Sequence, residues 1–218
     1  MDDRSQAVVL LSATLWWPTS PRLAMAFLQS GCRVAAICPL GHPLRKVVGM
    51  DSIFTYRSLN SIGSLKAAID SVRPDLVIPC DDGAVWQLHE LHARDAELRP
   101  LIERSIGSAE AYAALESRRQ TLQIAVELGI RVPPTWPIET VGDFSNPQLE
   151  WPAMLKIDGT WGGDGVVHVL NRFDAEQVFP SLFGARRTVL AWKHFLVNRH
   201  PLALWLWRRR NGSTVTLQ

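Results

Sequence analysis

A glycine-rich loop between two strand-forming runs constrains the fold of this chain more than any other segment. The apolar run Trp151–Leu155 leads into Lys156, and strand-forming residues resume at Val166–Val169. Glycine lets backbone N–H groups approach phosphate oxygens, and a lysine ammonium supplies a point charge. Dinucleotide motifs and P-loops differ, because their strand leads into a helix. The pattern therefore predicts either a phosphate-binding hairpin or an ordinary glycine-rich hairpin with a surface lysine.

The first half of the chain alternates strand-like and helical patterns, which predicts a parallel sheet with helices on its faces. Ligands of such sheets bind beyond the carboxyl ends of the strands, where the sequence places Asp81 and Asp82. These carboxylates could bind a substrate amine or a metal, but Asp82 is the better candidate for the N-cap of the next helix. The predicted strands are 7–11, 33–37, 52–56 and 75–79, and the predicted helices are 21–29, 62–72 and 85–98.

The second half has a different order of patterns. A helix is predicted over 117–128, ended by Gly129, and Pro133 and Pro134 then fix an extended segment. The strand before the glycine loop is predicted over 151–157, and a helix over about 173–182. The tail contains strand-like residues at 202–207 and 215–217. We place the join between two domains near residues 108–117.

Composition is that of an ordinary globular protein, with 47% hydrophobic and 20% charged residues in 218. No apolar run approaches the length of a membrane-spanning helix, so no membrane partner is expected. The three cysteines are not spaced like the ligands of a metal site. His89 and His92 could form half of a metal site, but the sequence offers no third ligand. We therefore predict a cytoplasmic protein without a metal site of its own.

Charge is distributed unevenly along the chain. Residues 177–218 hold seven Lys or Arg and no acidic residue, whereas residues 1–176 hold 16 basic and all 21 acidic residues. This basic segment is compatible with a solvated face or with a nucleic-acid or membrane contact through Trp205, Trp207 and three consecutive arginines. It is also compatible with acidic partners that lie outside this chain.

Three segments, in this order, resemble ATP-grasp enzymes of the carbamoyl phosphate synthetase-like branch. Residues 74–82 resemble the last strand and turn of the leading domain, and residues 118–133 resemble a helix headed by a basic residue and followed by Gly-Ile-x-x-Pro. Residues 152–167 resemble the strand, lysine and glycine-rich phosphate loop. The resemblance covers essentially the whole chain.

The resemblance implies an α/β fold in two parts. Residues 1–112 would form a Rossmann-like, parallel-sheet leading domain, called the pre-ATP-grasp domain. Residues 113–218 would form the first, α+β lobe of the ATP-grasp domain, incomplete and ending at the hinge that binds adenine.

The resemblance also implies a set of nucleotide-binding residues. Arg118 matches the basic residue that contacts phosphates at the head of its helix, and Lys156 matches the second phosphate-binding base. Gln218 matches the residue that enters the adenine hinge. The glycines of the loop that closes over the triphosphate are Gly159, Gly162, Gly163 and Gly165.

The function that the resemblance implies is ATP-dependent ligation of a carboxylate to an amine through an acyl phosphate. The cofactors would be ATP and Mg²⁺, with the Mg²⁺ ligands of the family falling beyond Gln218, so the chain alone is expected to be inactive. The small-molecule carboxylate and amine, and the catalytic residues, remain unassigned. The alternatives are a non-catalytic nucleotide- or metabolite-binding module, or half of a split enzyme, and, as a minor one, a nucleic-acid or membrane contact through the basic tail.

The end of the chain carries a further expectation. If the second half of the domain is absent, strand Val215–Leu217 would have an open, unpaired edge. Together with exposed apolar surface, this edge predicts self-association or a partner that supplies the remaining half.

Overall fold

A computed structural model describes residues 6–112, 114, 117–158, 165–183 and 215–218 of the chain, with the backbone alone at Arg118 and Phe183. The chain divides into two compact units, Met1–Glu110 and Ala111–Gln218. The strand-like residues 202–207 and most of the basic tail lie outside the described residues. None of the described helices is long and apolar enough to cross a bilayer.

The first unit is built on a sheet of four parallel strands. Consecutive apolar residues bury both faces of these strands, as in other parallel sheets covered by helices, and Leu10 and Leu11 are fully buried. The strand order is β3-β2-β1-β4, so the direction of winding reverses between β1 and β4. The strands are β1 (Val8–Ser12), β2 (Arg33–Cys38), β3 (Ser52–Thr55) and β4 (Leu76–Pro79), and the predicted parallel sheet is confirmed.

Helices of the first unit begin and end close to the predicted positions, with one exception. Gly31, directly after the C-cap of the first helix, has a φ of 81°, which glycine adopts at low cost. The predicted helix 85–98 ends at Arg94 instead, and a new helix starts at Arg99 because Pro100 cannot continue a preceding helix. The helices are α1 (Ser20–Gln29), α2 (Ser61–Val72), α3 (Asp82–Arg94) and α4 (Arg99–Ile106), and short 3₁₀ segments are Pro43–Lys46, Ser58–Asn60 and Ala109–Ala111.

The N-cap of α3 differs from the prediction. Asp81, not Asp82, is the capping residue, and its Oδ1 accepts the Ala84 N–H at 2.9 Å. Asp82 is instead the first residue of the helix. The prediction was wrong by one residue because both aspartates can cap, and the backbone turns from extended to helical only after Asp81.

The second unit is built on a four-stranded sheet of order β5-β8-β6-β7, in which all paired strands are antiparallel. Helix α5 (Arg118–Glu127) precedes this sheet and is followed by Gly129 with a φ of 70°. Helix α6 (Arg172–Phe183) follows β7. The strands are β5 (Trp136–Ile138), β6 (Ala153–Ile157), β7 (Val166–Val169) and β8 (Val215–Leu217), with a 3₁₀ segment at Val141–Ser145.

The position of β8 corrects the expectation of an open strand edge. Leu217 lies opposite Trp136 of β5 on one side and Leu155 of β6 on the other. Strand β8 is therefore an interior strand with both edges paired, and its residues Val215–Leu217 are buried. The sequence did not predict this pairing because Pro137 weakens the strand pattern of β5. Proline is typical of an edge strand, which is the position that β5 takes.

One face of this sheet packs on the core of the second unit. Leu155 and Leu217 are buried there, and α6 contributes Phe179. The Phe144 ring lies edge-on to Phe179 with centroids 5.6 Å apart, a favourable aromatic arrangement. The core therefore occupies one face of the sheet, which leaves the other face for polar side chains.

Candidate functional site

The face of the second sheet opposite the core carries polar side chains. Strand β6 alternates buried and half-buried residues, so Lys156 lies on the opposite face from Leu155 and Ile157. Lys156 is directly opposite Thr216 of β8. We call this surface the polar face, formed by Thr135, Lys156, Thr216 and Gln218.

Two of the predicted site residues meet on the polar face. The Lys156 ammonium donates a hydrogen bond to Oε1 of Gln218, although the residues are 62 positions apart. The Gln218 backbone extends the pairing of β8 with β6, since its N–H donates to the Met154 carbonyl at 3.0 Å and its carbonyl accepts from Met154 at 2.7 Å. The position of the Gln218 side chain is thus fixed by the sheet on one side and by Lys156 on the other.

A third residue of the polar face is Thr135, which the sequence did not single out. Gln218 Nε2 donates to Thr135 Oγ1 at 2.9 Å, and Thr135 Oγ1 in turn donates to the Pro133 carbonyl at 2.9 Å. The only sequence signal was the Pro133-Pro134 pair, which holds the backbone extended just before β5. The polar face therefore contains a continuous hydrogen-bonded row, from the residue before β5, through the residue after β8, to Lys156 of β6.

The glycine loop is anchored beside Lys156. The Ile157 N–H donates to the Gly165 carbonyl at 3.0 Å, which closes the β6–β7 hairpin, and Gly165 has a φ of 75° that favours glycine. The predicted order of strand, loop and strand is confirmed by this antiparallel pair. The predicted site residues Gly159, Gly162 and Gly163 lie outside the described residues.

Arg118 is the first residue of α5, where the sequence placed it. Ser117 caps this helix, with its Oγ accepting the Gln120 N–H at 3.4 Å. The contact of Arg118 with nucleotide phosphates stays a prediction.

Metal-binding side chains do not cluster in the described part of the chain: no group of three or more His, Cys, Asp or Glu there could hold a metal ion. His92 instead pairs with Glu103, with 2.8 Å between Nε2 and Oε1. Lys156 provides a positive charge that suits a phosphate group, and its partner Gln218 is neutral. The polar face is therefore chemically suited to an anion and not to a bare cation.

Comparison with solved structures shows which fold this is. An L-amino acid ligase from Bacillus licheniformis matches 99% of this chain over 46% of its own length, with a TM-score of 0.58 and 15% identity. An N5-carboxyaminoimidazole synthetase from Staphylococcus aureus, complexed with ADP, matches 97% over 47% of its length, with a TM-score of 0.59 and 16% identity. The described chain has the fold of the first half of an ATP-grasp enzyme.

A biotin carboxylase from Campylobacter jejuni has the same ATP-grasp fold, with a TM-score of 0.55 at 16% identity, over 95% of this chain and 44% of its own length. No family model and no curated protein matches the sequence. The chain spans about half the length of the structures it matches. The predicted α/β fold, with a Rossmann-like sheet followed by an ATP-grasp lobe, is thus confirmed.

Proposed function

We propose that this chain binds ATP on the polar face of its second sheet, as part of a ligase that joins a carboxylate to an amine. The observation that carries the proposal is the position of Lys156, which lies half-buried on the polar face of an antiparallel sheet, next to the β6–β7 hairpin and hydrogen-bonded to Gln218. The fold supports it, because structural neighbours include a ligase and a synthetase crystallised with ADP.

The proposed reaction has two steps. The γ-phosphoryl group moves from ATP to a carboxylate oxygen, giving ADP and an acyl phosphate. The amine nitrogen then attacks the acyl carbon and loses a proton, the bond between the acyl carbon and the bridging oxygen breaks, and phosphate leaves with that electron pair. Mg²⁺ bound with ATP would neutralise charge on the transferred group, and we assign its ligands to none of the described residues.

The residues of this chain would bind and orient the nucleotide. Lys156 would hold phosphate oxygens as a point charge, with Arg118 and the backbone N–H groups at Gly159, Gly162, Gly163 and Gly165 sharing that role. Gln218 would lie at the edge of the adenine pocket. One charge-assisted hydrogen bond contributes about 1.5–3 kcal/mol, so Lys156 supplies only a part of the affinity.

Calorimetric titration with ATP, in the presence and absence of Mg²⁺, tests the proposal. The Lys156→Met variant should bind ATP about 10- to 150-fold more weakly, which is the loss of about 1.5–3 kcal/mol. Lys46→Met is the matched control, because Lys46 is an exposed lysine of the first unit. Equal ATP affinity for the parent chain and Lys156→Met, or no ATP binding by the parent, would contradict the proposal.

Turnover separates a ligase from a binding module. Magnesium-dependent ADP release that rises when candidate carboxylates and amines are added would support the ligase. ATP binding without any ADP release would favour a non-catalytic module or one part of a divided enzyme. One assay of ADP release distinguishes the two outcomes, and the Lys156→Met variant gives the background rate.

A further inference from the structure

The row of hydrogen bonds on the polar face has a defined direction. The hydroxyl proton of Thr135 is directed to the Pro133 carbonyl, since Oγ1 lies 2.9 Å from that oxygen and a carbonyl can only accept. Thr135 Oγ1 is then left to accept, and the group facing it at 2.9 Å must be the NH₂ of Gln218. The Gln218 amide oxygen is thereby turned toward Lys156.

This direction matters because a carboxamide has two chemically opposite ends. If the amide of Gln218 were reversed, its NH₂ group would face the Lys156 ammonium, and two donors would confront each other. Thr135 prevents the reversal, because it offers an acceptor on the other side. The extended Pro133-Pro134 segment in turn holds the carbonyl that orients the Thr135 hydroxyl.

The consequence for Lys156 is a fixed position without loss of charge. A lysine side chain is flexible, and immobilising it on binding a ligand costs conformational entropy. An acceptor that already holds the ammonium reduces this cost. A neutral amide does so without neutralising the ammonium, whereas a carboxylate at the same place would compete with a phosphate for it.

We propose that Thr135 is a positioning residue for nucleotide binding, which orients the Gln218 carboxamide so that it holds Lys156 toward a phosphate while leaving the lysine charge uncompensated. The proposal rests on the ATP-binding function proposed above. It adds Thr135 to the site and gives Gln218 a role through its side chain.

Four variants test the proposal by calorimetric titration with ATP and by thermal melting. Thr135→Val keeps the shape and removes both hydrogen bonds, and it should weaken ATP binding about fivefold. Thr135→Ser keeps the hydroxyl and should restore the parent affinity. Gln218→Leu should weaken binding as Thr135→Val does, because Lys156 loses its acceptor.

Gln218→Glu separates positioning from a merely structural role. A glutamate forms an ion pair with Lys156, and the Thr135 hydroxyl can turn from the Pro133 carbonyl to donate to the second carboxylate oxygen, so the melting temperature should be retained. ATP affinity should nevertheless fall by about tenfold or more, since the new carboxylate neutralises the ammonium and repels phosphate. A Gln218 side chain that lay away from the bound phosphates would instead leave both quantities unchanged or improved.

The outcomes distinguish this proposal from the one on which it rests. Weaker binding for Lys156→Met together with parent affinity for Thr135→Val would overturn the positioning role and leave the ATP site standing. Parent affinity for Gln218→Glu, or a Thr135→Ser variant as weak as Thr135→Val, would also overturn it. Equal ATP affinity of Lys156→Met and the parent would overturn both proposals.

Discussion

The Asp81 carboxylate accepts two hydrogen bonds from Thr14, one from its backbone N–H and one from its hydroxyl, both at 2.7 Å. The Leu15 N–H donates to the same carboxylate at 3.1 Å, and the Ala84 N–H at the start of α3 donates at 2.9 Å. Successive backbone N–H groups of this kind form a concave anion site. In the first unit that site is filled by the chain's own Asp81, at the point between β1 and β4 where the strand order reverses.

We predict that Asp81→Asn destabilises the first unit by about 3 kcal/mol. The amide replaces a charged acceptor and turns an NH₂ group toward N–H donors, which leaves some of them unpaired. Asp70→Asn is the control, since Asp70 is 54% exposed and pairs with the half-exposed Lys66, and it should cost less than about 0.5 kcal/mol. Urea unfolding followed by circular dichroism measures both, and equal costs would contradict the role of Asp81.

The buried His42 should make the free energy of unfolding depend on pH. The residue is 1% exposed, and its Nδ1 accepts the Leu44 N–H at 3.1 Å. Burial lowers the pKa of His42, against the opposing influence of the Asp81 charge. The unfolded chain therefore takes up a proton at about pH 6.5, before the folded chain does, and stability falls as the pH drops below that value.

The matched variant for this prediction is His42→Asn. Its amide oxygen can still accept from the Leu44 N–H, but the side chain does not titrate. We expect the loss in free energy of unfolding between pH 7 and pH 5 to be smaller in the variant than in the parent. Hydrogen bonds lower the pKa values of the Asp95 and Asp143 carboxyls below 3.8. These two groups therefore change stability at pH values below the range from 7 to 5. Identical pH dependence in both proteins would contradict the account.

Tyr56 provides a spectroscopic test of packing in the first unit. Burial, together with the charge of Asp81, raises the pKa of Tyr56 to about 12, although Gln87 and Ser61 hydrogen bonds oppose the shift. The chain has two tyrosines, so absorbance at 295 nm can follow each phenol. We expect a step near pH 12 that persists in Tyr112→Phe and loses the Tyr56 contribution in Tyr56→Phe, with circular dichroism at each pH confirming the fold. A step of the same amplitude in Tyr56→Phe and in the parent would contradict the assignment.

The elements with strong local patterns could be predicted from the sequence. The buried parallel strands, helices α1 and α2 and the Lys156 strand are confirmed because their apolar runs, periodicity and glycine caps are local signals. The pairing of β8 with β5 and β6 could not be predicted, because it joins residues about 60 to 80 positions apart. Thr135 was missed for the same reason, since only the folded sheet brings it to Gln218.

The proposed contact between Lys156 and the phosphates of bound ATP has a direct test. An acyl phosphate derivative of ATP, which transfers its acyl group to a lysine beside the phosphates, tests this directly because the chain has only four lysines, at positions 46, 66, 156 and 193. Mass spectrometry should find Lys156 acylated well above Lys46 and Lys66, and excess ATP should suppress that labelling. Equal labelling of Lys46, Lys66 and Lys156, unaffected by ATP, would contradict the claim.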